Sequence, residues 1–371
     1  MRFPATKRTG TQRGAALIIA MLVFALASAL MVGLQRDFAL TLQRGTNHLF
    51  SEQAWSYLMG AEGLAVLALR EDARLDAKSE SAADHLGEVW AQVATPYPLD
   101  AGGWLTGQLE DLQGRLNLNL LVSAPGAPTS GDSDGDSSLA AGEMAQTQDE
   151  AMTVTATAAA TEETRWNPTQ KMLIRLLQSV GEEPLSIEES MVLTDAITDF
   201  IDPDSIRRLN GAEDQEYRYQ TFPYLPANQP LASVSEIRAV RGMTPAIYEA
   251  LAPFLTVWPQ NGGRVNVLTA PVPILRSINS DDRMDPLPLE MAERLFELRA
   301  EGAIGSVEAF LTNPTLDGLE LGALQPFLAT RSDWFVLDAT VELLDRERHL
   351  YSVMRRTGDT SIAVFRTEGE L

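Results

Sequence analysis

Between Asp199 and Glu216 the chain reads DFIDPDSIRRLNGAEDQE, which sets Asp199, Asp202, Asp204, Glu213, Asp214 and Glu216 within 18 residues. Carboxylates this dense repel one another unless a cation sits among them. Calcium takes about six to eight oxygen donors in flexible geometry. A turn at Pro203 and another at Asn210-Gly211 would fold the stretch back, bringing Asp202 and Asp204 near Glu213 and Asp214. The spacing is not that of an EF-hand loop, and the alternative is a solvated acidic loop whose charge Arg207 and Arg208 offset. A second acidic run, Asp132-Ser133-Asp134-Gly135-Asp136, has a faint calcium-loop look but lacks the later bidentate glutamate.

Other chemistries find little support. The sequence has no Cys, hence no thiolate metal site, disulfide or Cys nucleophile, and only three His, scattered at His48, His85 and His349. It has no G-x-S-x-G, Walker, G-x-G-x-x-G or H-E-x-x-H motif, and the expectation is a protein that is not an enzyme. Ile237 to Thr244 with the helix that follows to Leu255 resembles one helix-hairpin-helix unit, and Val265 to Leu311 a degenerate second. Arg238, Arg241 and Arg264 could then grip phosphates, which makes a membrane-tethered DNA receptor the rival function. A formal charge of -22 over 371 residues opposes that reading, since it repels phosphates and anionic headgroups alike. No nucleic acid is expected, and Gly242 reads as a tight turn in a helical packing unit.

Attachment to a membrane must then come from apolar insertion. Ala15 to Leu34 is an uncharged run of 20 residues, which as a helix at about 1.5 Å per residue spans a hydrocarbon core of roughly 30 Å. Lys7, Arg8 and Arg13 precede it, so the amino terminus stays cytoplasmic and the bulk of the chain is exported. Three readings fit: a secretory signal cut after Ala27-Ser28-Ala29, a plain signal anchor, or a prepilin-type signal cut between Gly14 and Ala15 with the helix retained whole. The last would remove four basic residues and no acid, and would put Ile19 at the fifth mature position.

Beyond the membrane run, Phe38, Leu42, Leu49, Trp55, Leu58, Ala61, Ala65 and Ala68 recur at helical spacing with no Pro before Pro96, so one long helix is expected from Ala15 to about Arg70. Gly103 to Leu120 reads as a strand, a Gln113-Gly114 break and a second extended piece, with Asn117 and Asn119 placed to pin neighbouring backbone. From Val122 to Thr164 large apolar side chains are nearly absent, which predicts a disordered acidic insert. From Trp166 to about Thr330 the helix-start signals Asn167-Pro168, Ser186 with Glu189, Ser233 with Glu236, Thr244-Pro245, Thr269 and Ser306 predict an all-helical domain. Trp334 to Leu344, Leu350 to Arg356 and Ser361 to Thr367 alternate as an antiparallel meander. The meander and the strand after Gly103 would form one sheet packed on the stem helix.

Several segments together resemble the K-type minor pseudopilins of type II secretion. They are Arg13-Gly14 against the apolar run, Asp111-Leu112-Gln113-Gly114-Arg115 with Asn117-Leu118-Asn119, Gly211-Ala212-Glu213-Asp214 through Tyr217, then Tyr224, Pro226-Ala227-Asn228 and Ser233 to Glu236. Ile19 stands where most pilins carry a glutamate, which matches the K type and suits a subunit that enters first. The resemblance implies an α+β fold: a pilin-like long N-terminal helix packed on a small antiparallel sheet, with a large all-α domain inserted in sequence. It implies the divisions 1–14 (leader), 15–34 (transmembrane), 35–121 (periplasmic stem and first strands), 122–164 (acidic insert), 165–330 (helical domain) and 331–371 (last strands).

It also implies calcium, with Asp202, Asp204, Glu213 and Asp214 as candidate ligands, and processing at Gly14 and Ala15 by prepilin peptidase. The implied partners are the I-type and J-type minor pseudopilins (GspI and GspJ) and the inner membrane, with contacts along Phe38, Leu42, Leu49 and Trp55.

Overall fold

A computed structural model describes residues 13–78, 82–92, 95–100, 102–122, 165–343 and 346–369. The leader residues 1–12 and nearly all of the acidic insert, including the Asp132 to Asp136 run, lie outside the described residues. Residues 1–59 and 60–371 form two separate compact units. Helix α1, Arg13–Asp76, runs unbroken from the first into the second and ends six residues later than the periodicity predicts. In the first unit the apolar run is exposed throughout, from Leu17 to Leu34, and the helix is long and apolar enough to cross a membrane.

In the second unit the chain proceeds through β1 (Tyr97–Pro98), β2 (Trp104–Asp111) and β3 (Leu116–Asn117), then α2 (Pro168–Leu177), α3 (Ile187–Ile201), α4 (Asp214–Arg218) and α5 (Pro245–Leu251). There follow β4 (Leu255–Thr256), β5 (Val265–Asn266), α6 (Val272–Ser277), α7 (Leu289–Ala300), α8 (Val307–Leu311), β6 (Leu328–Ala329), β7 (Trp334–Leu343), β8 (Arg346–Thr357) and β9 (Thr360–Thr367). A five-stranded antiparallel sheet has the order β1-β2-β7-β8-β9. Because β2 pairs with β7, the whole helical domain is inserted between two neighbouring strands, as the sequence pattern predicts.

The alternation along β7 sets the two faces of this sheet. Phe335, Leu337, Ala339, Val341 and Leu343 are buried, on the face that meets the last turns of α1. There Glu62 accepts a hydrogen bond from Ser352 Oγ at 2.6 Å and an ion pair from Arg366, also at 2.6 Å. Trp334, Val336 and Asp338 point to the opposite face, where Trp258 of the inserted domain stacks on Trp334 with ring centroids 5.4 Å apart.

Four of the six helix-start signals open an α-helix. Asn167 with Gln170 and Ser186 with Glu189 form reciprocal capping boxes on α2 and α3, each a contribution of about 1 kcal/mol. Thr244 and Ser306 cap α5 and α8. Ser233 with Glu236 makes the same box but starts only a 3₁₀ turn, Val234–Ala239. Thr269 starts no helix: its hydroxyl is committed to Asp111 at 2.5 Å, and α6 begins three residues later.

The helical domain is also not purely helical, since β3 pairs with β4 and β5 with β6 as short parallel bridges. Strand β8 starts at Arg346, earlier than the alternation implies, because the β7 ladder continues to the Leu343–Arg346 pair. After Asn117 the chain tightens into 3₁₀ rather than continuing extended. Leu116, Leu118 and Leu121 thereby enter the same core as Leu173, Ile197, Ile237 and Leu275. Asn117 and Asn119 do pin backbone. Asn117 Nδ2 donates to Pro259 O at 2.6 Å, and Asn119 bridges Leu231 and Val257 through three bonds of 2.8–3.1 Å.

Candidate metal centre

Helix α3 delivers Asp195 and Asp199 on one face and ends with Asp202 as its C-cap. The loop that follows returns through Asn210-Gly211 to the start of α4, where Glu213 is the N-cap. This brings carboxylate oxygens of Asp202, Asp204 and Glu213 within 4.8 Å of one another. Asp199 is fully buried nearby, and its Oδ2 accepts the backbone N–H of Arg208 at 3.0 Å. Gly211 is fixed by space: a Cβ there would come 1.9 Å from Asp199 Oδ2.

The oxygens are short of donors. Asp199 Oδ1, Asp202 Oδ1 and both carboxylate oxygens of Glu213 are buried without a hydrogen-bond partner among the described residues, and so is Asn228 Oδ1. Asn228 has φ +45°, and its N–H donates to Phe200 O at 3.0 Å, at the same end of α3. Arg208 is the nearby cation, at 3.4 Å from Asp199 and 3.8 Å from Asp202. One guanidinium does not balance four carboxylates. Burial first, then repulsion from neighbouring carboxylates, raises Asp199 to about 7, Asp202 to about 6 and Glu213 to about 7. An all-oxygen set with unfilled acceptors fits a hard cation, calcium above all.

Of the four predicted ligands the fold thus assembles three. Asp214 occupies the first turn of α4, outside that group, and its carboxylate pairs with Arg218 at 2.9 Å. Sequence reasoning passed over Asp199 and Asn228 as oxygen donors. Asp199 was signalled by its i, i+3 spacing from Asp202 at a helix end; Asn228 had no signal in spacing. Phe38, Leu42 and Leu49 are 71%, 58% and 70% exposed, while Trp55 is half-buried. Gly14 and Ala15 lie in the first turn of α1. In the hairpin, Gly242 takes φ +89° as its tight turn requires, and the Arg238 guanidinium lies over the Tyr248 ring at 4.6 Å.

A second group of acids, Asp72, Asp84 and Glu88, also brings oxygens within reach of one another, but its surroundings differ. Arg356 at the end of β8 donates to Asp72 at 2.7 Å, to Asp84, and to Ser332 O at 2.6 Å. Asp84 also accepts from Ser332 N at 2.7 Å. The network continues to Asp111, which accepts from Ser332 Oγ at 2.6 Å, Thr269 Oγ1 at 2.5 Å, Asn266 Nδ2 at 3.1 Å and Gln113 N at 2.7 Å. Gln113 accepts in turn from Asp333 N at 2.6 Å. Gly114 is pressed against Thr269, whose Oγ1 would lie 2.9 Å from a Cβ. The Asp111 to Arg115 motif is therefore the joint at which the sheet, the end of α1 and the inserted domain meet.

A long N-terminal helix of which one part is exposed and membrane-length and another part packs on a five-stranded antiparallel sheet defines a pilin-like membrane-anchored subunit, here with a helical domain carrying a group of acidic oxygens. Residues 114–260 match the family model described as type II secretion system (T2SS), protein K. The chain is 31% identical to type II secretion system protein K of Klebsiella pneumoniae, covering 96% of this chain and 97% of that protein. It is 30% identical to the Pseudomonas aeruginosa protein of the same name, covering 95% and 91%. The chain belongs to the type II secretion system protein K family. Its fold is also that seen in the crystal structure of the GspK-GspI-GspJ complex from the enterotoxigenic Escherichia coli type 2 secretion system, with TM-score 0.63, 24% identity, and coverage of 88% of this chain and 100% of that one.

Proposed function

We propose that the chain is a minor pseudopilin at the tip of the type II secretion pseudopilus, where it nucleates or caps assembly for export of folded periplasmic proteins. The observation that carries this is α1: an uncharged membrane-length run opens the same helix whose last turns underlie the sheet. On this reading residues 1–14 are a leader removed by prepilin peptidase. Ala15 to Leu34 holds the subunit in the inner membrane until assembly, and everything beyond lies in the periplasm. Ile19 supports a first-entering position, because a carboxylate at that depth costs about 2.5–3.5 kcal/mol unless a neighbour's terminal amine pairs with it. A leading subunit has no such neighbour.

The partners on this reading are the I-type and J-type minor pseudopilins, met along the exposed stem residues Phe38, Leu42 and Leu49. The inserted domain adds bulk that a further subunit could not stack above. The protein's work is binding, and catalysis is done to it by the peptidase.

Calcium is the ion proposed for Asp202, Asp204 and Glu213, with Asp199 and Asn228 as further oxygen donors. Asp214 would join only by releasing Arg218. Bound there, the ion would tie the end of α3 to the start of α4.

The reading is tested by intact mass of the amino terminus, taken from membranes with and without the cognate prepilin peptidase. A peptidase-dependent start at Ala15 is expected. A start at Leu30 or at Met1 in both would overturn it.

A further inference from the structure

The helical domain does not cover the whole outer face of the sheet. Trp258 and Leu112 close over Trp334, Val336 and Val353, and beside this contact a cleft of about 430 Å³ opens between the sheet and the segment from α5 to Trp258. That volume is within the range of side-chain and small-ligand sites, roughly 300–1,000 Å³.

Three carboxylates line it: Glu110 on β2, Asp338 on β7 and Glu249 on α5, against one cation, Arg115, which is paired to Glu110. Its walls include the aromatic rings of Tyr248, Trp258 and Tyr351.

Asp338 is the residue the fold does not explain. It lies on the middle strand of the five, half-buried, directly between Gln108 and Tyr351 in register. Acidic residues are disfavoured in strands, and a half-buried one is ordinarily paired. Glu110, two positions along the neighbouring strand on the same face, repels it, and His349 is the positive influence near it. Two like charges facing one cleft, with the single arginine bound to one of them, favour a cation supplied from outside. Tyr248 already lies under Arg238, and the other two aromatic rings of the lining, Trp258 and Tyr351, add a cation-π attraction to that cation.

We propose that this cleft receives an arginine or lysine side chain of a partner polypeptide, held by Asp338 and Glu249 between the aromatic walls. Its face is opposite the one that meets the last turns of α1. The inference is independent of the assembly reading, and a failure of amino-terminal processing would leave it intact.

The test is titration calorimetry on the full chain in detergent with the blocked tripeptide acetyl-Gly-Arg-Gly-amide and its uncharged citrulline counterpart. Saturable binding of the arginine peptide with Kd about 1 mM is expected, a modest affinity suited to one side chain. The citrulline peptide should bind at least about tenfold more weakly, a difference of about 1.4 kcal/mol. The isosteric pair Asp338→Asn with Glu249→Gln should lose the arginine peptide by a similar factor while melting at the wild-type temperature. Equal affinity for the two peptides, undiminished binding by the folded double variant, or no saturable heat at about ten times the expected Kd would each overturn the proposal.

Discussion

The two acid clusters are alike in composition and opposite in saturation. Around Arg356, Asp72 and Asp84 have a guanidinium between them, and Asp111 accepts four hydrogen bonds from three segments, at Gln113, at Asn266 to Thr269 and at Ser332. Around Asp202, at least four carboxylate oxygens have no donor among the described residues, and the Arg208 guanidinium stands 3.4–3.8 Å away. A filled network holds parts of a fold in place. An unfilled one costs stability until a cation arrives, because each buried unpaired polar atom forfeits about 1–3 kcal/mol. The first cluster is therefore a structural joint, and the second an unbalanced set of carboxylates of the kind a cation would relieve.

Breaking the joint should have the largest effect. Arg356→Met leaves Asp72 and Asp84 buried without their cation, and a loss of about 3–5 kcal/mol is expected from denaturant unfolding of the full chain in detergent. Calcium should not restore it. If Arg356→Met unfolds at the wild-type midpoint, the joint is not what holds the domains.

Next in size is the effect of the calcium proposed for the second cluster. At a free calcium concentration about 100-fold above Kd, a bound ion would add about 2.7 kcal/mol, which a chelator should abolish as a drop in Tm. Asp202→Asn with Glu213→Gln should melt above the chelated wild type, since repulsion is relieved, and should ignore calcium. A chelator-insensitive wild type would reduce this cluster to a solvated acidic loop.

The smallest effect is a difference of slopes with pH. Asp199, Asp202 and Glu213 have folded pKa values raised to about 7, 6 and 7, above those of the unfolded chain. The folded protein thus holds more protons than the unfolded chain between about pH 4 and 7, and calcium-free protein loses stability as pH rises through that window. Burial also pushes Asp72, Glu88 and Asp111 up to about 6, 7 and 6, which adds to the slope whether or not calcium is present. Calcium should therefore flatten the slope without removing it, as measured by denaturant midpoints across the window. Identical slopes with and without the ion would remove the distinction between the clusters.

Much of this was legible before folding. The uncharged run Ala15 to Leu34 needs no partner to be read, since length and composition alone decide whether a helix spans a membrane. The capping boxes at Asn167 and Ser186 are contacts three residues apart, so sequence contains both members. The β7–β9 meander is written in local alternation. In the acidic stretch, Asp202, Asp204 and Glu213 were found because one turn at Asn210-Gly211 joins them.

What sequence could not contain are the pairings set by distant chain. Asp214 reads like its neighbour Glu213, yet the phase of a single helical turn directs it to Arg218 instead. Arg356 meets Asp72 across 284 positions of sequence, and Ser332 meets Asp111 across 221. Asp338 alternates as any outward strand residue does, and only the inserted domain closing beside it makes a cleft. Local pattern thus determined the membrane helix, the capped helices, the strands and the acidic turn. Tertiary structure decided which carboxylates are paired and which are left open, because burial and charge balance belong to the packed ensemble of segments and not to any one of them.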